Sequence, residues 1–143
     1  MDDPRIPPTD PDSAPFFAGC REGVLRVQQC AETGRLIFPP RPMSPFAPHA
    51  DPTWTTVSGH GTIWSYVVPH PPLLQPFSDL APYVVVAVAL DEDPTVRLIG
   101  NLVTGVGGPI NQIQAGAVRI GAPVHAVFER IDDNIVLPRW VLS

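Results

Sequence analysis

Two thiols, four imidazoles and a scatter of carboxylates are the groups in this 143-residue chain that could make or break bonds. Covalent catalysis needs a nucleophile, a base within hydrogen-bond reach and a third group that orients the base. Cys30 is the first nucleophile to weigh, but Glu32 nearby would raise rather than lower its pKa and keep it a thiol. Cys20 falls where an apolar residue would serve equally well and reads as a small hydrophobe. The four histidines are scattered. His125 and Glu129, four apart, would share one strand face; a hydrogen-bonded pair and an ordinary surface pair both fit, and the surface pair is preferred. His60 stands between Gly59 and Gly61 in a tight turn, facing solvent or a partner. Asp91, Glu92 and Asp93, like Asp132 and Asp133, occupy turns, which select such residues anyway. GVGGP at 105–109 matches neither GxGxxG nor GxxxxGK[ST], and the chain has no lysine, which excludes a nucleotide-hydrolysing loop.

The elements that must position these groups are mostly strands. Twenty prolines and eleven glycines argue against a helical bundle, because proline removes a backbone donor and clashes inside a helix. Residues 1–14 (MDDPRIPPTDPDSA) have almost nothing to bury and predict an extended or disordered tail. FFAGCREG (16–23) predicts a short helix stopped by Gly23. Val24, Leu25 and Val27, then Leu36, Ile37 and Phe38, flank CAETG, a hairpin whose turn uses Gly34. Residues 39–53 hold six prolines in fifteen positions and must be a connecting loop or a lost submodule. WTTVSG (54–59), GTIWSYVVPH (61–70), APYVVVAVALD (81–91), PTVRLIGNLV (94–103), APVHAVFERID (122–132) and NIVLPRWVLS (134–143) are rich in β-branched and aromatic residues and bounded by turn residues. Five or six such strands in about 90 residues suit a small closed barrel of the oligonucleotide/oligosaccharide-binding (OB) kind. In the second of them Trp64, Tyr66 and Val68 alternate against Ile63, Ser65 and Val67, so one face is aromatic, either core or a ligand platform. Residues 104–121 read as a loop around a single helical turn.

Hydrophobic residues make up 44% of the chain and charged residues 16%, which rules out an acidic disordered protein. The net charge is −5 and all nine cationic residues are arginine. The first fifteen residues account for −3 of it, leaving −2 for the body. That sign disfavours nucleic acid, whose phosphates call for a basic face. The longest apolar run, Val84 to Leu90, is far short of the roughly 20 residues that cross a bilayer, and no leader pattern opens the chain. Two cysteines make no disulfide framework, so free thiols in a reducing, cytoplasmic compartment are expected.

Several stretches occur together in a fixed order: CAETGRLIFPPRPMSP, VSGHGTIWSYVVPH, PYVVVAVALDE, RLIGNLV and RIGAPVHAVFERIDD. In that order the chain resembles, over roughly residues 16–142, the acyl-CoA-associated OB-fold family once labelled domain of unknown function thirty-five. The resemblance implies a mainly β fold: a tail over 1–14, a short helix plus a rubredoxin-like ribbon over 15–53, and a five- to six-stranded OB barrel over 54–143. Family members usually carry zinc in that ribbon on CxxCGxxxxPPRxxCPxC. Here the pattern is degenerate. Cys30 stands at the first ligand position, but Thr33, Ser44 and Ala47 stand at the others, and His49 lies past the second knuckle. Structural zinc needs four nitrogen or sulfur donors, so no zinc is expected, and the ribbon is expected to be ordered mainly by a partner.

The resemblance implies a non-catalytic accessory subunit that docks on a thiolase-fold enzyme: a thiolase, a thiolase-like aldolase or an acyltransferase. It would complete or cover that partner's acyl-CoA channel, or bridge it to an enoyl-CoA hydratase, with steroid side-chain breakdown one such setting. By analogy Tyr66 and His70 become candidates for substrate or partner contact, against a framework role. Arg97 and Asn101 can offer donors to phosphate or pantetheine carbonyls, against a salt bridge or turn bond. Phe16, Phe17, Phe46, Trp54 and Trp140 mark a docking side or belong to the core. No cofactor of the chain's own is expected. Two other classes compete. A free-standing acyl-CoA-binding module would bind CoA thioesters alone, and an OB-type nucleic-acid binder would need a basic groove the composition does not offer.

Overall fold

The computed structural model describes residues 6, 7 and 10–143. Half of the tail expected over 1–14 lies outside them; within it, residues 10–13 form a turn. The Asp10 carboxylate accepts the Ser13 hydroxyl at 2.8 Å and the Ser13 N–H at 2.9 Å. The hydroxyl bond, then the backbone one, hold the Asp10 carboxyl below its ordinary value. The helix α1 (Ala14–Arg21) starts there, two residues before the expected start, with proline in its first turn, where the missing N–H costs nothing. Gly23 ends it at φ +76°, as expected, while the Val24 N–H reaches back to the Gly19 carbonyl at 3.0 Å.

The expected hairpin is β1 (Leu25–Gln29) and β2 (Leu36–Ile37), turned at Gly34 with φ +75°. The strand expected to open the barrel at Trp54 instead extends this ribbon sheet. β3 (Thr53–Val57) pairs with all five residues of β1, giving the order β2-β1-β3. The barrel proper is β4 (His60–Val67), β5 (Val85–Leu90), β6 (Arg97–Asn101), β7 (Pro123–Arg130) and β8 (Val136–Leu142) in the order β6-β5-β4-β7-β8, every neighbour antiparallel. Its two ends, β6 and β8, meet in one parallel bridge, Leu102 to Trp140, and the Val103 N–H donates to the Trp140 carbonyl at 2.8 Å. This nearly closed five-stranded barrel is an OB fold, and the mainly β reading stands. Between β4 and β5 a one-turn helix α2 (Phe77–Leu80) was not legible in the proline-rich loop, whereas the turn expected within 104–121 is a 3₁₀ helix over Ala115–Ala117.

Ribbon, helix and barrel share one core. Phe16 and Cys20 from α1 and Leu25, Val27 and Val57 from the ribbon sheet pack with Ile63, Val86, Val88, Leu98 and Trp140 of the barrel. The alternation expected in β4 is broken by a bulge between Ile63 and Ser65. An extra residue re-aims the side chains after it, so Trp64 is exposed while Tyr66 packs against the core. The expected common aromatic face is therefore split.

Burial pushes the Cys20 thiol up to about 12. Hydrogen bonds from the Ser44 and Thr33 side chains bring the Cys30 thiol down to about 7, yet its side chain is as buried as that of Cys20. A thiol without access to reagent is inert whatever its pKa. Both cysteines should thus stay unreactive toward a disulfide reagent in the native protein and titrate together on unfolding. Rapid release of one equivalent from folded protein would contradict this burial.

Candidate functional site

The barrel's seam opens between Arg97–Asn101 of β6 and Leu137–Trp140 of β8, and α1 and the chain after β2 lie across it. Between them is a cavity of about 550 Å³ walled by Phe16, Phe17, Phe38 and Trp140, with Arg97 and Asn101 at its edge. Its size falls in the range of small-molecule sites. The wall is aromatic because Phe16 meets Phe17 edge-on at 5.2 Å and Phe38 at 5.8 Å. In β6 the buried Leu98 alternates with Arg97 and Ile99, which stand outside the barrel.

The polar groups of this cavity offer hydrogens. The Arg139 guanidinium donates to Asn101 Oδ1 at 2.8 Å across the seam, which occupies that oxygen and leaves the amide's N–H₂. The Arg97 guanidinium lies over the Trp64 ring, 3.8 Å from its centroid, a stacking that orients the charge without neutralising it. Trp140 is fully buried, and its indole N–H has no hydrogen-bond partner. An unpaired buried donor costs free energy. No acidic side chain lines the cavity among the described residues. An occupant matching such a wall has an apolar body and carbonyl or anionic acceptors. A second cavity of about 330 Å³, lined by Phe77, Glu129 and Ile110, shares Asn101, Leu137 and Arg139 with the first.

The structure therefore brings Phe16, Phe17, Arg97, Asn101 and Trp140 together and leaves the other candidates elsewhere. Phe16 is taken up by the chain's own core, and so is Trp140. Tyr66 borders a shallow depression with Val67 and Ile99. His70 bonds the Val68 carbonyl through Nδ1 at 2.8 Å and edges a separate cleft with Tyr83 and Gln114. Trp54 is half-buried against the core, and Phe46 sits at the surface under Arg35, whose guanidinium is 4.0 Å from the ring centroid. His125 and Glu129 do not pair: His125 meets Ser143 Oγ at 3.0 Å and Glu129 accepts the Gly107 N–H at 2.7 Å. Phe38 and Arg139 were missed, and Trp140 was named without its orphaned N–H. A glycine inside RLIGNLV was the available signal, since glycine in a strand marks close approach: a Cβ on Gly100 would lie 3.2 Å from Trp140 Nε1.

The ribbon presents a second set of chemically distinctive groups. The Thr33 N–H points at Cys30 Sγ at 3.5 Å, and the N–H groups of Phe46 and Ala47 donate to Ser44 Oγ at 3.1 and 3.2 Å. One thiol, two hydroxyls and a methyl group do not fit a structural zinc ion, which takes four nitrogen or sulfur donors. Among the described residues no three His, Cys, Asp or Glu side chains gather as a metal site, and none forms a helix long and apolar enough to span a membrane.

Residues 54–129 match the family described as ChsH2, C-terminal OB-fold domain, and residues 17–43 match the ChsH2 rubredoxin-like zinc ribbon domain. The ribbon match stops just before Ser44. The chain is 34% identical over 134 residues to the "Probable enoyl-CoA hydratase alpha subunit" of Thermomonospora curvata. It is 31% identical over 136 residues to the "3-oxo-4,17-pregnadiene-20-carboxyl-CoA hydratase alpha subunit" of Mycobacterium tuberculosis. These alignments take in 92% and 95% of the chain, which spans 38% of the length of each relative. Among solved structures it is similar to the "Ltp2-ChsH2(DUF35) aldolase", with TM-score 0.80 and 31% identity over 96% of this chain and 98% of that one. A DUF35-family protein of Sulfolobus solfataricus shares the fold, with TM-score 0.58 and 15% identity over 94% of this chain and 87% of that one.

Proposed function

The chain belongs to the ChsH2 OB-fold family, and from that membership we propose that it is a non-catalytic accessory subunit docking on a thiolase-fold, aldolase-type enzyme, where it helps form or cover an acyl-CoA channel. One observation carries the reading: the similar chain, matched over 98% of its length, belongs to a structure named "Ltp2-ChsH2(DUF35) aldolase". The seam cavity supports the channel role. Its apolar wall suits an acyl body, and its arginines and amide suit carbonyl and phosphate oxygens. These groups bind and orient; they include no nucleophile beside a base. Exposed Trp64, Val67 and Ile99 make an apolar strip beside the cavity, the kind of surface a partner covers. The relatives named as hydratase alpha subunits support a steroid or lipid-degradation setting in which thioester passes between a hydratase and the aldolase.

The test is capture of the partner from the native host followed by reconstitution. The chain alone should turn over no acyl-CoA thioester, and adding it should raise the partner's kcat/KM at least tenfold. Ile99→Glu puts a charge on the docking strip and should weaken association by roughly tenfold or more, the effect of losing a packed interface residue, while leaving the isolated chain's melting unchanged. Turnover by the chain alone would end the proposal. Micromolar binding of a CoA thioester to the isolated chain, with no partner captured, would favour a free-standing acyl-CoA-binding module, for which the 550 Å³ cavity is the supporting feature.

A further inference from the structure

The ribbon deepens the departure from its family's metal chemistry. In a metal knuckle, backbone N–H groups converge on the ligand atoms and fix their orientation. The same convergence survives here around one thiol and one hydroxyl, a donor pair too small to hold zinc: Thr33 N–H on Cys30 Sγ, and Phe46 and Ala47 N–H on Ser44 Oγ. Cys30, Ile37 and Ala47 pack into a small cluster of their own, and Ser44 is 2% exposed. A second tie is independent of the knuckles. The buried Gln28 side chain accepts the Arg41 N–H at 2.7 Å and donates to the Arg41 carbonyl at 2.9 Å, pinning the loop after β2 to β1.

We infer that this ribbon is a self-locked, metal-free knuckle pair, in which the N–H bonds to Cys30 and Ser44, the packed Cys30, Ile37 and Ala47 side chains and the Gln28 clamp hold the two knuckles in place of a zinc ion. In metal-dependent ribbons the binding free energy of the ion is folding free energy, and chelators unfold them. Here the polar atoms at the ligand positions accept backbone N–H groups of the ribbon itself, and the Ala47 methyl group packs with Cys30 and Ile37. The backbone frame of the ligand set is retained, so restoring the missing thiols restores a site.

The experiment has two arms. Protein from zinc-supplemented cells should carry well under about 0.1 zinc per chain, and its thermal midpoint should move by less than about 1 °C with a strong chelator. The triple variant T33C/S44C/A47C should take up about one zinc per chain and lose several degrees of midpoint when the metal is stripped. One zinc per wild-type chain, or a chelator-lowered wild-type midpoint, would overturn the inference. So would a folded triple variant that binds no zinc. Should that variant fail to fold, the wild-type arm decides alone, and Ser44→Ala supplies a further reading. By stranding the Phe46 and Ala47 N–H groups it should lower the metal-free midpoint by roughly 3–9 °C, and an unchanged midpoint would refute the lock.

Discussion

Trp140→Ala should cost about 3–5 kcal/mol of stability, the range for deleting a fully buried large aromatic side chain, and lower the denaturant midpoint without a compensating change in slope. Trp140 has no exposed surface, closes the barrel where β8 meets Leu102, and walls the seam cavity from within. Its removal would leave a void that the rigid seam cannot collapse into, because backbone pairing fixes Leu102 and Val103 on one side of it. Trp140→Phe should behave differently. It keeps most of the ring but deletes an indole N–H that has no partner, and losing an unsatisfied buried donor offsets part of the lost packing. The net change should be within about 1.5 kcal/mol. Equilibrium urea unfolding of both variants separates the terms. A Trp140→Phe loss as large as that of Trp140→Ala would mean that the N–H is satisfied within the core.

The positions that could be read from sequence are those governed by local backbone rules. Gly23 and Gly34 stand at positive φ, where glycine has no steric penalty; Gly23 ends the helix and Gly34 turns the hairpin, as expected. Strand content followed from β-branched runs between turn residues, and the degenerate ligand set followed from residue identity at Thr33, Ser44 and Ala47. What escaped was set by tertiary pairing. β3 has the composition of any barrel strand, and only its register with β1 assigns it to the ribbon sheet. The bulge at Trp64 has no glycine or proline to announce it, so period-two reasoning put Trp64 and Tyr66 on one face when the extra residue separates them. The candidate site divided the same way. Arg97 and Asn101 lie on one strand and stayed together, whereas Phe38, Arg139 and Trp140 reach the cavity from elements distant in sequence. Tyr66 and His70, suggested by resemblance, sit on a strand whose bulge and following loop carry them away from the seam.

The SGHG stretch gives the last and sharpest expectation, because its two glycines look alike in sequence and are needed for different reasons. Gly59 takes φ +80° in the turn between β3 and β4. Gly61 has ordinary backbone angles but lies in the central strand, paired with Leu90 on one side and Val124 on the other. A Cβ there would fall 2.4 Å from the Ala89 carbonyl oxygen and 2.6 Å from Val88 Cγ1. The nearer clash is with backbone, and strands on both sides of β4 leave it no room to shift. Gly61→Ala should therefore cost about 3 kcal/mol or more, at the upper end for overpacked cores, whereas Gly116→Ala, with open space around it, should change stability by less than about 1 kcal/mol in either direction. Thermal melts of the two alanine variants, with amide exchange on β5, distinguish steric overlap from a general dislike of alanine. The overlap predicts early exchange across Val88–Leu90 in Gly61→Ala alone, and equal melting of the two variants would show that β4 and β5 can part enough to admit a methyl group.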